Sequence, residues 1–288
     1  MTNIVSSSPK IAVIGHVEHA TIARVDALPL AGSILHLDDF RWIAGGGGAI
    51  AFFQLAKSAG EIHFFTALGN DDASALVGER IAATGAQIHA AHRNEAQTRD
   101  MVLITPGGER TIIVIRQPLH PKRDDPLPWD ILRGFDAAYF TAQDPRILQG
   151  ARAAKLLVVT ARRAEALRKS GVRADVVVGS LKDPREVSTL ADYRSAPKAL
   201  VLTDGAKGGE IITASGTTRF ESPQRATEPV GAYGAGDSFA GALTWYLACG
   251  LSIEEACAEA AVHGAAVLDG IDPIAAQAGL RVVSAVAK

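Results

Sequence analysis

Val230-Gly231-Ala232-Tyr233-Gly234-Ala235-Gly236-Asp237-Ser238-Phe239-Ala240-Gly241-Ala242-Leu243 places small residues and an acid directly ahead of an apolar run. Phe239, Leu243 and Leu247 recur at helical spacing, which predicts a helix that begins at Gly234 to Gly236. The first amide N–H groups of a helix lack intrahelical acceptors, and the aligned peptide dipoles add positive charge there, so the turn suits an anion. Asp237 stands beside it, placed to take a proton from a hydroxyl that attacks a phosphoryl group held by the glycine amides. Taken alone, the same residues also describe a glycine-rich turn with an acidic helix cap, so the rest of the chain must decide.

With 288 residues, 48% of them hydrophobic, and a net charge of -2, the chain can form one large α/β domain or two small ones. It has no basic excess that would suit nucleic acid, and no apolar stretch of about 18 residues that would suit a membrane. The start, Met1 to Lys10, is polar and lacks a signal-peptide core, so a cytoplasmic location is expected. Cys249 and Cys257 have neither disulfide nor metal-ligand spacing and read as reduced, apolar fillers.

Lys10 to Ile14, ending at Gly15, reads as a buried first strand, and the following turn carries His16, Glu18 and His19. Polar groups at the carboxyl end of a strand commonly face a ligand in open α/β sheets. Glu18 fits either a substrate contact or a solvated loop, and the two histidines read as structural. From Ile22 to Ile43 short strands are broken by Pro29 and Gly32. Gly45 to Gly48 then precede a predicted helix from Ala49 to Ala59, closed by Gly60. Four glycines let something approach the backbone closely, and they also suit a hinge.

Glu61 to Leu68 is a predicted strand, Ala73 to Thr84 a helix, and Thr98 to Thr105 with Arg110 to Ile115 a hairpin around Pro106 to Glu109. Pro118 to Trp129 reads as a surface connection. Strands at Ala137 to Ala142, Leu156 to Thr160 and Asp175 to Val178 alternate with helices at Pro145 to Ala154 and Arg163 to Ser170, which predicts a parallel, doubly wound sheet. A strand from Ala199 to Thr203 leads into Asp204 to Gly209. Ser252 and Glu255 form a capping box for a helix from Ile253 to Leu268, on which His263 reads as packing.

Gly234-Ala235-Gly236-Asp237-Ser238-Phe239 with Gly241-Ala242, preceded by Gly45 to Ala49, resembles the PfkB (ribokinase-like) carbohydrate kinases. Gly15, Arg24 to Pro29, Thr66 to Asp71 and Thr203 to Gly208 extend the resemblance over nearly the whole chain. It implies a single kinase domain over 1–288: a doubly wound, mostly parallel sheet flanked by helices, with a small β-sheet lid from segments near 16–44 and 97–118. It further implies transfer of the γ-phosphoryl group of ATP, with Mg2+, to a small-molecule hydroxyl, most commonly on a sugar or nucleoside.

Carried over by position, Asp237 is the base, and Gly234, Ala235 and Gly236 are the anion hole. Thr203, Gly205 and Gly208, with Gly234 and Gly236, face the nucleotide, while Gly46, Gly47 and Gln143, with Glu18 and Asp237, face the acceptor. A homodimer through the lid is implied as well. Gly231-Ala232-Tyr233 replaces the family's Asp-Thr-x, which leaves a monovalent-cation site open. Val178 to Glu186 does not reproduce the Asn-x-x-Glu associated with magnesium, so the metal ligands stay unassigned. Glu18-His19-Ala20 and Ile50 replace sugar-gripping residues, so an unusual acceptor is expected. The other classes are a nucleoside kinase and a non-catalytic ligand-binding protein with the kinase fold. A dinucleotide-binding dehydrogenase ranks below these, because Ile14 to His19 lacks the second and third glycines of that fingerprint.

Overall fold

Strand β1 (Lys10–Ile14) is buried from Ile11 onward, as an unalternating apolar run requires when a strand is covered on both faces. The computed structural model of the protein describes residues 8–282, and the sequence up to Ser7 lies outside them. Next come β2 (Glu18–Arg24), β3 (Phe40–Gly45), α1 (Gly47–Ala56), β4 (Glu61–Leu68), α2 (Asp72–Ala82) and β5 (Gln87–His92). The hairpin β6 (Arg99–Ile104) and β7 (Arg110–Ile115) precedes β8 (Ala137–Phe140), α3 (Pro145–Ala151), β9 (Leu156–Thr160), α4 (Ala164–Ser170), β10 (Val176–Ser180) and β11 (Ala199–Thr203). Then follow β12 (Gly209–Thr213), β13 (Gly216–Phe220), α5 (Ala235–Ala248), α6 (Ile253–Val267) and α7 (Pro273–Ala276).

One sheet has the order β13-β12-β11-β10-β9-β8-β1-β4-β5. All neighbours are parallel except β11 with β12 and β12 with β13. On one face Val13, Phe64, Tyr139 and Val158 pack with Phe52, Leu243 and Trp245 of the helices; on the other Ile14, Phe65, Phe140 and Leu157 pack with Leu148 and Leu167. Each such side chain taken out of water contributes about 1.5–3 kcal/mol. This is the expected doubly wound α/β fold. Because its parallel strands all point one way, Gly15, Thr141, Ala161 and Thr203 end up along one carboxyl edge.

The second sheet has the order β3-β2-β6-β7, with β2 and β6 parallel and the outer pairs antiparallel. Its register sets Glu18, Ala20 and Ile22 on one face together with Asp100, Val102 and Ile104, and Gly45 opposite Glu18. The opposite face carries His19, Thr21, Trp42, Met101, Ile113 and Ile115. The β6–β7 turn is tied to the glycine-rich stretch, since Ala232 N donates to Gly108 O at 2.9 Å and Gly108, at φ 78, lies against Pro229.

Several expectations are corrected. Glu18 is not in a turn: it opens β2 and is buried, because pairing of β2 with β6 draws it under the small sheet. In the region 22–43 only the two ends are strand, β2 up to Arg24 and β3 from Phe40; Val25 is buried and 26–36 is an exposed connection, with proline and glycine interrupting any ladder. Helix α1 runs from Gly47 to Ala56 rather than from Ala49 to Ala59, and Lys57 Nζ ties its end to the 274–277 segment by donating to Ile274 O at 2.6 Å and Gln277 O at 2.7 Å. Leu119, His120 and Trp129 are buried, so Pro118 to Trp129 is not merely a surface connection. Strands β5 and β13 carry too many polar residues to show an apolar pattern, and the sequence did not reveal them. Asp175 precedes its strand, where its carboxylate takes Arg152, Lys198 and the Leu157 N–H.

Candidate active site

Helix α5 begins as its residues dictate. Gly234 is the N-cap at φ 80, a left-handed conformation that glycine adopts without strain. A side chain there would press on Ile50 and Pro273, with 3.0 Å to each. No side chain caps the helix, and the space over Gly236 is open, with nothing within 4 Å of where a Cβ would stand. The amides of Ala235, Gly236 and Asp237 therefore form a bare, positively polarised helix start. It is fixed from below: Gln277 Nε2 donates to Ser238 Oγ at 2.9 Å and to Ile50 O at 2.8 Å.

The two glycine motifs meet at the acid. A Cβ on Gly47, at the start of α1, would stand 2.8 Å from Asp237 Oδ1. Gly46 is the N-cap of α1 at φ 86, and its N–H donates to Tyr233 Oη at 3.2 Å. Thus Tyr233, from the altered flank of the motif, holds the other glycine pair in place. Burial raises the Asp237 carboxyl above its ordinary range, while the Arg162 and Arg110 guanidiniums oppose the shift. A carboxylate disfavoured in this way is a stronger proton acceptor.

On the small-sheet side, a Cβ on Gly46 would stand 3.1 Å from both Glu18 Oε2 and His16 Nε2. His16 Nε2 lies 3.5 Å from Glu18 Oε1. Burial, helped by Arg163 and Arg162, lowers His16 to about 3, so the imidazole is neutral. Burial pushes Glu18 well above the carboxylate range, and a hydrogen bond with Asp100 adds to the shift. Behind His16 the His120 ring stacks edge-on at 4.7 Å, and Arg163 Nε donates to Thr141 O at 2.8 Å.

At the other end, Thr203 Oγ1 donates to Gly179 O at 3.2 Å, and Gly205, at φ 57, lies against the Lys182 amine. Gly208, at φ 78, turns the chain against the backbone of Phe220. The Phe220 ring stacks on Phe239 with centroids 5.6 Å apart, which fixes this turn relative to α5. Between the two ends Arg162 reaches Asp183 at 2.6 Å and Glu186 at 2.5 Å. Burial raises the Glu186 carboxyl; Arg162 opposes this and Asp237 adds to it.

Of the residues singled out in the sequence, Asp237, Gly234, Ala235, Gly236, Gly46, Gly47 and Glu18 form one cluster. Thr203, Gly205 and Gly208 form a turn joined to it through Phe220. Gln143 is exposed in the loop after β8, and no hydrogen bond ties it to the cluster among the described residues. Ile50 does not border the cleft: it is wholly buried beneath Gly234. Asp100, Arg162, Arg163 and Glu186 were not identified from sequence, His16 was read as structural, and Tyr233 was noted only as part of the altered flank of the motif. Asp100 lies within a strand and His16, Arg162 and Arg163 just after one, whereas Tyr233 precedes α5 and Glu186 lies in the loop after β10, so only the fold brings them together. His19 stacks on Trp42 on the far face of the small sheet, away from the acid.

No curated protein sequence matches the chain. Among solved structures it is similar to a ribokinase from Thermotoga maritima, at 19% identity over 94% of this chain and 96% of that one, TM-score 0.73. It is also similar to the adenosine kinase of Sinorhizobium meliloti, at 18% identity over 96% and 97%, TM-score 0.76. A microbiome-derived acarbose kinase, Mak1, aligns at 21% identity over 92% and 94%, TM-score 0.77. At these identities the likeness establishes a shared fold. The family model for pfkB family carbohydrate kinases matches residues 8–193 and 146–276, which takes in both glycine motifs and Asp237, and the chain therefore belongs to the pfkB family of carbohydrate kinases.

Proposed function

We propose that this kinase transfers the γ-phosphoryl group of ATP to a hydroxyl of a sugar or sugar derivative, with Asp237 as general base and Gly234, Ala235 and Gly236 as the anion hole. The supporting observation is the 2.8 Å approach of Asp237 Oδ1 to the position a Gly47 side chain would fill. An acceptor laid on the bare backbone of Gly46 and Gly47 would bring a hydroxyl to that carboxylate, with the open start of α5 beside it. Asp237 would take the hydroxyl proton as the oxygen bonds to the γ-phosphorus. The bond to the β–γ bridging oxygen would break and ADP would leave. The amides would meet the charge on the transferring group, each donor contributing about 2.7–4 kcal/mol to the transition state.

Thr203, Gly205 and Gly208 would border the nucleotide, and Glu18 and Gln143 the acceptor. Magnesium, when bound, neutralises phosphate charge. Among the described residues no group of three His, Cys, Asp or Glu could hold a metal. The phosphates would therefore supply most of its ligands, with Glu186, beside Asp237, the acid placed to meet it. The small sheet would act as the lid of one kinase domain. Its far face exposes Phe40, Trp42, Ile113 and Ile115, which suits a homodimer through the lid.

ADP release from magnesium ATP across a panel of sugars, sugar phosphates and nucleosides, run with Asp237→Asn as control, is the test. Acceptor-dependent turnover that survives unchanged in the variant refutes the assignment of the base. The likeness to an adenosine kinase keeps nucleosides in the panel as the second reading.

A further inference from the structure

Resting on the kinase reading above, we propose that the acceptor carries a basic amine, and that its ammonium group binds between Glu18 and Asp100. The parallel register sets Asp100 opposite Ala20, two residues along the same face from Glu18, with Gly45 opposite Glu18 and the Tyr233 hydroxyl 2.8 Å from where a Gly45 Cβ would stand. Glu18 is 5% exposed and Asp100 3%. Neither forms an ion pair with a lysine or arginine among the described residues. Arg99 turns to the other face and pairs with Asp71 at 2.8 Å, and Arg163 gives its Nε to Thr141 O. His16, whose Nε2 lies 3.5 Å from Glu18 Oε1, is neutral. The two carboxyls hydrogen-bond to each other, which keeps a proton on one of them, while buried Asp100 Oδ1 and Nδ1 of the neighbouring His16 are left without a partner.

Two carboxyls in one buried place cannot both ionise without a cation. An ammonium group supplies that charge together with three N–H donors, whereas a hydroxyl offers one donor and no charge. An acceptor phosphate would be repelled at this end. Position links the amine to the chemistry: Glu18 Oε2 borders Gly46, Asp237 Oδ1 borders Gly47, and consecutive Cα atoms are about 3.8 Å apart. Amine and reacting hydroxyl therefore belong on one small molecule, a few bonds apart, as in an amino sugar.

The test uses matched probes: glucosamine, glucose and N-acetylglucosamine, and the corresponding galactose series. Binding is measured by calorimetry in the presence of a non-hydrolysable ATP analogue, and turnover by ADP release, for wild type, Glu18→Gln and Asp100→Asn. At pH 7 the amines are expected to bind about tenfold or more tightly than their neutral counterparts, with that preference lost in each variant. Equal or weaker binding of the amines by wild type, or no binding of any amine, overturns the proposal. Retention of the preference in a folded Glu18→Gln protein also overturns it. Amine preference without turnover upholds this inference while refuting phosphoryl transfer; turnover of neutral sugars without amine preference does the reverse. If Asp100→Asn fails to fold, Glu18→Gln and the N-acetylated probes still decide.

Discussion

Replacing Gly47 with alanine adds one methyl group at the point where the two glycine motifs meet. That methyl would lie 2.8 Å from Asp237 Oδ1 and 3.5 Å from its Cγ, so the closer contact falls about 0.6 Å short of ordinary van der Waals separation. Either the carboxylate moves by several tenths of an ångström or the acceptor loses the bare backbone on which it lies. A misplacement near 1 Å costs about 10²-fold in rate, so a loss of about 10- to 100-fold in kcat/KM is expected, or roughly 1.4–2.7 kcal/mol. Folding should not suffer. Gly47 is the first residue of α1, its backbone is not in the left-handed region, and alanine is a better helix former than glycine by up to about 1 kcal/mol. ADP release and thermal unfolding on the same preparation separate the two effects. Full activity in a folded Gly47→Ala protein would refute the placement of the acceptor; loss of activity through unfolding would refute the local packing.

Three further outcomes are expected. Burial raises Asp237, so the folded state holds its proton more tightly than the unfolded chain does. Above the folded pKa the ionised group therefore destabilises the native state, and this penalty fades as pH falls towards the ordinary value of 3.8. Asp237→Asn should thus be inactive yet more stable than wild type at pH 7, with the difference in denaturant midpoint vanishing near pH 4; lower stability at pH 7 would contradict this. Tyr233→Phe leaves the buried Gly46 N–H without its acceptor and should lose about 1–3 kcal/mol in chemical denaturation, along with part of kcat. Paired substitutions Ile113→Lys and Ile115→Lys on the far face of the small sheet should yield monomers in sedimentation at micromolar concentration, if wild type sediments as a dimer; a monomeric wild type would remove the lid interface.

The main sheet could be read in advance because Ile11 to Ile14, Leu157 to Val159 and Val176 to Val178 are covered on both faces and so are apolar without interruption, and Phe64 to Leu68 is broken only by the buried Thr66. Strands β5 and β13 lie at the sheet's edges, where one face meets water, and a sequence such as Gly216 to Phe220 then shows no apolar pattern. The start of α5 was legible for a local reason: a left-handed Gly234, an open Gly236 and an acid in the first turn depend on a few neighbouring residues.

What the sequence determined by itself is thus the alternation of strand and helix, the anion-binding helix start and the acid beside it, all set by short-range geometry and periodicity. Only the tertiary structure decided that Gly47 faces Asp237, that Tyr233 supports Gly46, that Glu18 and Asp100 share a buried place without a basic partner, and that Ile50 belongs to the core. Each of these pairs is far apart in the chain or fixed by strand register. A shift of one residue in the pairing of β2 with β6 would turn Asp100 to the outer face, and no local pattern specifies that register.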